Sequence, residues 1–280
     1  MKDEKILTLI EHLVELRKRL IIIIVVVVIG MGIAWNFSEH LLTFIERPLT
    51  GPTYLSDLKI RAYGEMKKRY PSLYARFDLE KETKVAVTAR KLNYSAPLEP
   101  FFIQCKIALI MGFILALPVV FLQVWRFVAP GLTVRERRLV VPFVSTATVS
   151  FCVGALFFLV VIWPVIINFS LSYESEGLQS WFNISSYVNF CLRLILIFGL
   201  IFELPILALL LSRFGIVTGR LLARNRKYAV LASAIIAAFH ADLVTMFVVM
   251  VPLYLMYEVS IWVAYLFEKK KPADDAAQAT

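Results

Sequence analysis

The chain has 280 residues, of which 59% are apolar or aromatic and only 18% charged, with a mean hydropathy of +0.74. A soluble domain carries about a quarter charged residues, so this composition argues against one and for an all-α protein that crosses a membrane several times. The net charge of +9, from 30 basic and 21 acidic residues, need not mean nucleic acid, because basic loops set topology and meet anionic lipid.

Residues 1–19 form an amphipathic N-terminal segment with Leu9, Leu13, Leu16 and Leu20 in one apolar stripe. Glu11 and Glu15 lie four apart on one side, and Glu15 and Arg19 form a favourable i,i+4 pair. On residue physics alone Glu15 reads as a solvated surface acid; the competing reading is an exposed carboxylate for a cationic ligand. The first span covers 20–47, an apolar run to Trp35 followed by an amphipathic stretch that Pro48 stops. It is read as a retained helix, since Asp3, Glu4, Glu11 and Glu15 spoil a basic leader and no small-residue cleavage site follows.

Residues 48–100 then fall on the external side. Ten basic residues from Lys59 to Lys91 are partly balanced by seven acidic ones from Glu46 to Glu99. A capped helix over 56–69, stopped by Pro71, and a strand over 84–92 would make this a small external subdomain; the alternative is a solvated, poorly ordered insertion. The second span is 101–125. In the cytoplasmic loop 126–138, Glu136 is the lone acid among Arg126, Arg135, Arg137 and Arg138, where it either neutralises its neighbours or joins Glu15 in a carboxylate site.

The third span is 139–163, the external loop 164–186 and the fourth span 187–211. Within the last lies Glu203, in the sequence FGLIFELP. An acid at that depth costs about 2.5–3.5 kcal/mol when ionised and is a functional candidate by default. Pro205 weakens the helix beside it, and Arg193, ten residues away, is about 15 Å along the helix, too far to be a same-turn partner. The loop 212–227 is basic. The fifth span, 228–239, would reach only about 18 Å, so it must thin the bilayer or sit behind its neighbours; alternatively the helix continues through 241–245. The turn 240–242 holds His240 and Asp242, the sixth span is 243–267 with Pro252 and Glu258, and the tail 268–280 begins with lysines. Lys and Arg concentrate in the N-terminus, the two cytoplasmic loops and the tail, which places both termini in the cytoplasm.

Chemistry-bearing motifs are few. Cys105, Cys152 and Cys191 all sit in apolar runs, giving no disulfide framework and no metal-ligand spacing, and no cofactor is expected. No triad order, zincin motif, P-loop or dinucleotide fingerprint occurs, so an enzyme is not expected. A proton- or ion-coupled secondary transporter using Glu203 and Glu258 is the rival reading.

In order along the chain, HLVELRKRL, QVWRFVAPGLTVRERRLVVP, FCVGALFFLVVIWPVIINF, FGLIFELP and VPLYLMYE resemble the TatC family, the multispanning receptor of the twin-arginine protein translocase. The resemblance implies six transmembrane helices, N-in and C-in, in a glove-like fold of the bacterial or archaeal cytoplasmic membrane. It implies a receptor that binds consecutive arginines of signal peptides and passes folded cargo with the proton-motive force. The family's two recognition acids map onto Glu15 and Glu136, with Glu11, Arg17 and Arg137 supporting the same site; its intramembrane acid maps onto Glu203 and its external-turn acid onto Asp242. Implied partners are single-span TatA- and TatB-type subunits, membrane lipid and further copies of the chain within a hetero-oligomeric receptor, with no nucleic acid. Two features depart from the family pattern: the long first external loop, and the turn HADLVTM where a proline-aspartate pair followed by Ser-Gln is usual.

Overall fold

In a medium without water, apolar runs satisfy their backbone groups internally, which a helix does within one segment. The structure, a computed structural model, describes residues 9–50, 61, 64–65, 68–69, 91–128, 140–172, 181–238 and 243–267. Its regular elements are helices: α1 (Leu9–Trp35), α2 (Ser38–Thr50), α3 (Glu99–Val128), α4 (Val140–Phe157), α5 (Trp163–Leu171), α6 (Ile184–Phe202), α7 (Leu204–Arg213), α8 (Gly219–Arg224), α9 (Arg226–Ala238) and α10 (Leu243–Phe267). The expected all-helical fold is therefore found. Among the described residues, five stretches are long and apolar enough to cross a membrane: Glu11–Trp35, Glu99–Phe127, Val140–Leu171, Ile184–Arg213 and Met246–Phe267. The short helix expected after these first four is present as α9, 13 residues long and about 20 Å from end to end. Two compact units divide the chain within α6, Met1–Ile197 and Phe198–Thr280.

In the first unit, α1 lies along α3 with backbones in contact. A Cβ on Gly112 would stand 2.3 Å from the Met31 nitrogen, and one on Gly30 would stand 2.6 Å from the Gly112 oxygen. Small residues at such a crossing let two membrane helices pack by close van der Waals contact.

The expected continuous helix to Arg47 is interrupted. The Phe37 N–H closes a tight turn onto the Ala34 carbonyl at 2.9 Å, and the Ser38 hydroxyl donates to the Trp35 carbonyl at 2.8 Å, so α2 starts afresh. Pro48 lies inside α2 rather than after it. Its missing N–H and kink are compatible with the helix because the adjoining backbone is held from outside: the Ile45 carbonyl accepts the Trp163 indole N–H and the Tyr187 hydroxyl, both at 2.9 Å. Trp163 is aimed there by a π-turn, Phe158–Ile162, through which the third span runs on to Leu171 instead of ending at Trp163. Pro164 supplies the physical reason, since it has no N–H for the regular ladder.

α3 and α6 begin side by side. Asn93 and Asn183 form a parallel β-bridge, with Asn93 N–H on the Phe182 carbonyl at 2.9 Å and Ile184 N–H on the Asn93 carbonyl at 2.8 Å. Asn183 caps α6 by accepting from Ser185 and Ser186 N–H, and Glu99 reaches back to Ser95 and Ala96 N–H at the start of α3. Of the sequence-expected external elements, Arg61, Gly64, Glu65, Lys68 and Arg69 are helical; the remainder of 56–69 and residues 84–90 of the expected strand lie outside the described residues.

Glu46, on α2 outside the candidate spans, is partly buried, and desolvation pushes its carboxyl above the ordinary range. Because the folded-state value is the raised one, its contribution to stability is complete below the usual carboxylate pKa and is lost as pH rises through the raised value. Glu46→Gln is expected to flatten this acid-to-neutral decline, measured as melting temperature against pH in detergent.

In the second unit, α7 ends in a Schellman turn: Gly215 has φ 73°, its N–H meets the Ser212 carbonyl, and the Ile216 N–H reaches the Leu211 carbonyl. The Thr218 hydroxyl caps α8 by accepting the Leu221 N–H at 3.1 Å. α7 packs on α10, with the Ser212 hydroxyl on the Ala264 carbonyl at 3.2 Å and the Arg213 guanidinium over the Phe267 ring at 5.4 Å.

Candidate functional site

Glu15 projects from α1 near the far end of α3. It is ion-paired with Arg19, as the i,i+4 spacing requires, and its side chain retains 26% exposure. Arg19 engages Oε1 and donates a second, longer bond of 3.5 Å to the Gln123 carbonyl of α3. One turn back, His12 stacks on Phe127 with ring centroids 4.3 Å apart and planes 21° from parallel. Two α1 side chains therefore grip the end of α3 on either side of Glu15. Trp125, buried on α3, packs on Phe143 of α4 at 4.6 Å. Glu136 and Arg137 belong to the segment 129–139 that joins these two anchored helices, and lie outside the described residues. Glu11 and Arg17 are exposed on α1.

Glu203 sits where α6 gives way to α7. Its N–H bonds the Leu200 carbonyl at 3.1 Å and its own carbonyl accepts the Leu207 N–H at 2.9 Å. Pro205, with no N–H, breaks the ladder at this point. The side chain is buried, 6% exposed. Asp242 lies outside the described residues.

Glu258 is not an isolated intramembrane acid. Its Oε2 accepts from Arg226 at 2.9 Å and its Oε1 from the Tyr254 hydroxyl at 2.7 Å, while the neighbouring Tyr257 hydroxyl donates to the Leu222 carbonyl at 2.8 Å. The acid thus pins the start of α9 to α10. Among the described residues no group of three or more His, Cys, Asp and Glu could hold a metal ion.

Residues 11–252 match the family model described as Sec-independent protein translocase protein (TatC). The chain belongs to the TatC family. The Sec-independent protein translocase protein TatC of Desulforapulum autotrophicum is 34% identical, over 96% of this chain and 88% of that protein. That of Aquifex aeolicus is 33% identical over 94% and 97%. The crystal structure of a twin-arginine translocase receptor, TatC, aligns with a TM-score of 0.68 at 32% identity, over 91% of this chain and 98% of that one. Membership in the TatC family, with several apolar helices, makes this an integral membrane protein and a component of a protein translocase, not an enzyme.

The TatC resemblance read from motifs is thereby established, and the secondary-transporter reading is not favoured. Sequence reasoning paired Glu15 with Arg19 but missed Gln123 and Phe127, which are more than a hundred residues away from their α1 partners. It also missed Arg226 as the partner of Glu258, 32 residues distant. The sequence signal for that pair was a basic residue opening α9 and an acid in the second half of α10.

Proposed function

We propose that this chain is the receptor subunit that captures twin-arginine signal peptides of folded cargo, with Glu15 and Glu136 as the carboxylates that meet the two guanidinium groups. The observation that carries the reading is the placement of Glu15. It is fixed on α1 against the end of α3, ion-paired through Oε1 with Arg19 while its side chain keeps 26% exposure, and Phe127, stacked on His12 one turn back, is nine residues before Glu136. On the other side of the segment, Phe143 on Trp125 is seven residues after Glu136. Both ends of the segment carrying Glu136 are thus tied to the helix pair that presents Glu15.

The chemistry suits arginine. A guanidinium donates a planar fork to a carboxylate, and an ammonium cannot reproduce that geometry. Exposed charge pairs are screened, so two carboxylates alone bind weakly, and apolar contact of the signal peptide along the helices adds affinity. Glu11, Arg17 and Arg137 shape the potential around the site. The basic loops put this face, with both termini, in the cytoplasm of a bacterial or archaeal cell, and 48–100 on the outside. In the same reading, α9 and 243–267 form the fifth and sixth of six spans joined by the turn holding Asp242, and Glu203 is the polar group within the membrane. Single-span TatA- and TatB-type subunits and further copies of the chain complete a translocase that uses the proton-motive force.

The test is site-specific crosslinking. A photoreactive residue at position 15 or 136 is expected to capture a signal peptide with consecutive arginines and to give several-fold less product with a twin-lysine peptide. Equal capture of both peptides at both positions would remove the assignment.

A further inference from the structure

Lys106 and Arg193 lie well inside candidate spans, and among the described residues neither has an ion-pair partner. Lys106 is seven residues into α3 and Arg193 nine residues into α6, about 10 Å and 14 Å from the helix starts. Both are exposed. The Lys106 ammonium donates to the Asn189 side-chain oxygen at 3.0 Å, and Asn189 is one helical turn from Arg193 on α6. The three side chains therefore form one contiguous polar strip. Among the described residues, Arg193 makes no hydrogen bond and no ion pair.

The surroundings show what this strip meets. On α3, Phe102, Lys106 and Leu109 are all exposed at helical spacing, so Lys106 interrupts an apolar stripe of the kind that faces lipid. The parallel bridge at Asn93 and Asn183 starts α3 and α6 from the same level. Side chains on a helix lean toward its N-terminus, so both cations lean toward the same membrane surface. Tyr94 and Trp181, 64% and 79% exposed, stand beside those starts, where amphipathic aromatics meet headgroups. A long basic side chain placed below that level extends its charge up to the interface.

We propose that Lys106, Asn189 and Arg193 form a site for the phosphate of a membrane lipid in the leaflet where α3 and α6 begin. Two converging cations, one with a guanidinium fork, match a phosphate diester, with the Asn189 side chain orienting the ammonium. Lipid surrounds an exposed strip at this depth, whereas a carboxylate from another span would first have to displace it.

Native mass spectrometry of the full-length protein tests this, with phosphatidylglycerol titrated against a neutral diacyl glycolipid of the same chains. The unaltered protein is expected to retain phosphatidylglycerol in preference to the glycolipid; absence of that preference overturns the proposal. Lys106→Gln with Arg193→Gln is expected to lower phosphatidylglycerol affinity at least tenfold with glycolipid adducts unchanged, while Lys106→Arg retains it. Equal phosphatidylglycerol retention by the double variant overturns the site, including where that variant instead loses co-purifying single-span subunits, which would assign the cations to a protein contact. Inorganic phosphate at millimolar concentration is expected not to compete; full competition would make this a free-phosphate site and overturn the lipid assignment.

Discussion

Glu15→Gln combined with Glu136→Gln is expected to abolish binding of a twin-arginine peptide while leaving the protein inserted and folded. A hydrogen bond to a charged group contributes about 1.5–3 kcal/mol, so losing one carboxylate charge is expected to weaken binding by about ten- to a hundredfold before screening. Each single variant should therefore show a large defect, and the double variant no measurable binding. Folding is little affected, because an i,i+4 ion pair such as Glu15 with Arg19 contributes only about 0.3–0.5 kcal/mol, and glutamine keeps the shape and can still accept from Arg19. The measurement is fluorescence anisotropy of a labelled signal peptide against the protein in lipid nanodiscs, with a twin-lysine peptide as baseline. Normal binding by both single variants would sink the roles assigned to these acids.

Apolar runs marked the helices because a chain segment in hydrocarbon has few alternatives. Helix α10 coincides with the expected 243–267, and α3 overruns the expected 101–125 by a few residues at each end. What the sequence concealed were features set by tertiary partners. The break at Asn36 and Phe37 carries no Pro or Gly; it depends on Ser38 turning back onto Trp35. Pro48 looked like a terminator, yet α2 continues past it because Trp163 and Tyr187, distant in sequence, hold the Ile45 carbonyl. The opposite holds at Glu203, where Pro205 two residues away announced the break and the structure has it. For the candidate site, Glu15 and Arg19 were readable because their partnership is local. The grip of α1 on Gln123 and Phe127 was not, since it follows from how two helices cross.

Gly112→Val is expected to undo that crossing. The new Cβ would meet the Met31 nitrogen at 2.3 Å and the Gly30 carbonyl carbon at 2.7 Å, both backbone atoms that no rotamer change can move. The helices must separate, and forcing extra volume into a packed contact costs about 1–3 kcal/mol, with valine adding two methyls beyond that Cβ. Separation also withdraws Arg19 from Gln123 and His12 from Phe127, so peptide binding is expected to fall although no charged residue has changed. Gly32 provides the internal control: it lies on the same helix, but a Cβ there meets nothing within 4 Å. Gly32→Ala is expected to be neutral or to stabilise by up to about 1 kcal/mol, because alanine is the better helix former. The two variants can be ranked by heating each in detergent with a thiol-reactive dye in a Cys105→Ala, Cys152→Ala background, since Cys152 is exposed and Cys105 half-buried whereas Cys191 is fully buried and reports unfolding when it becomes accessible. Gly112→Val should release this thiol at a temperature several degrees lower than that background alone, and Gly32→Ala at the same temperature or higher. Indistinguishable melting of the two would mean that close backbone contact between α1 and α3 does not hold this part of the fold together.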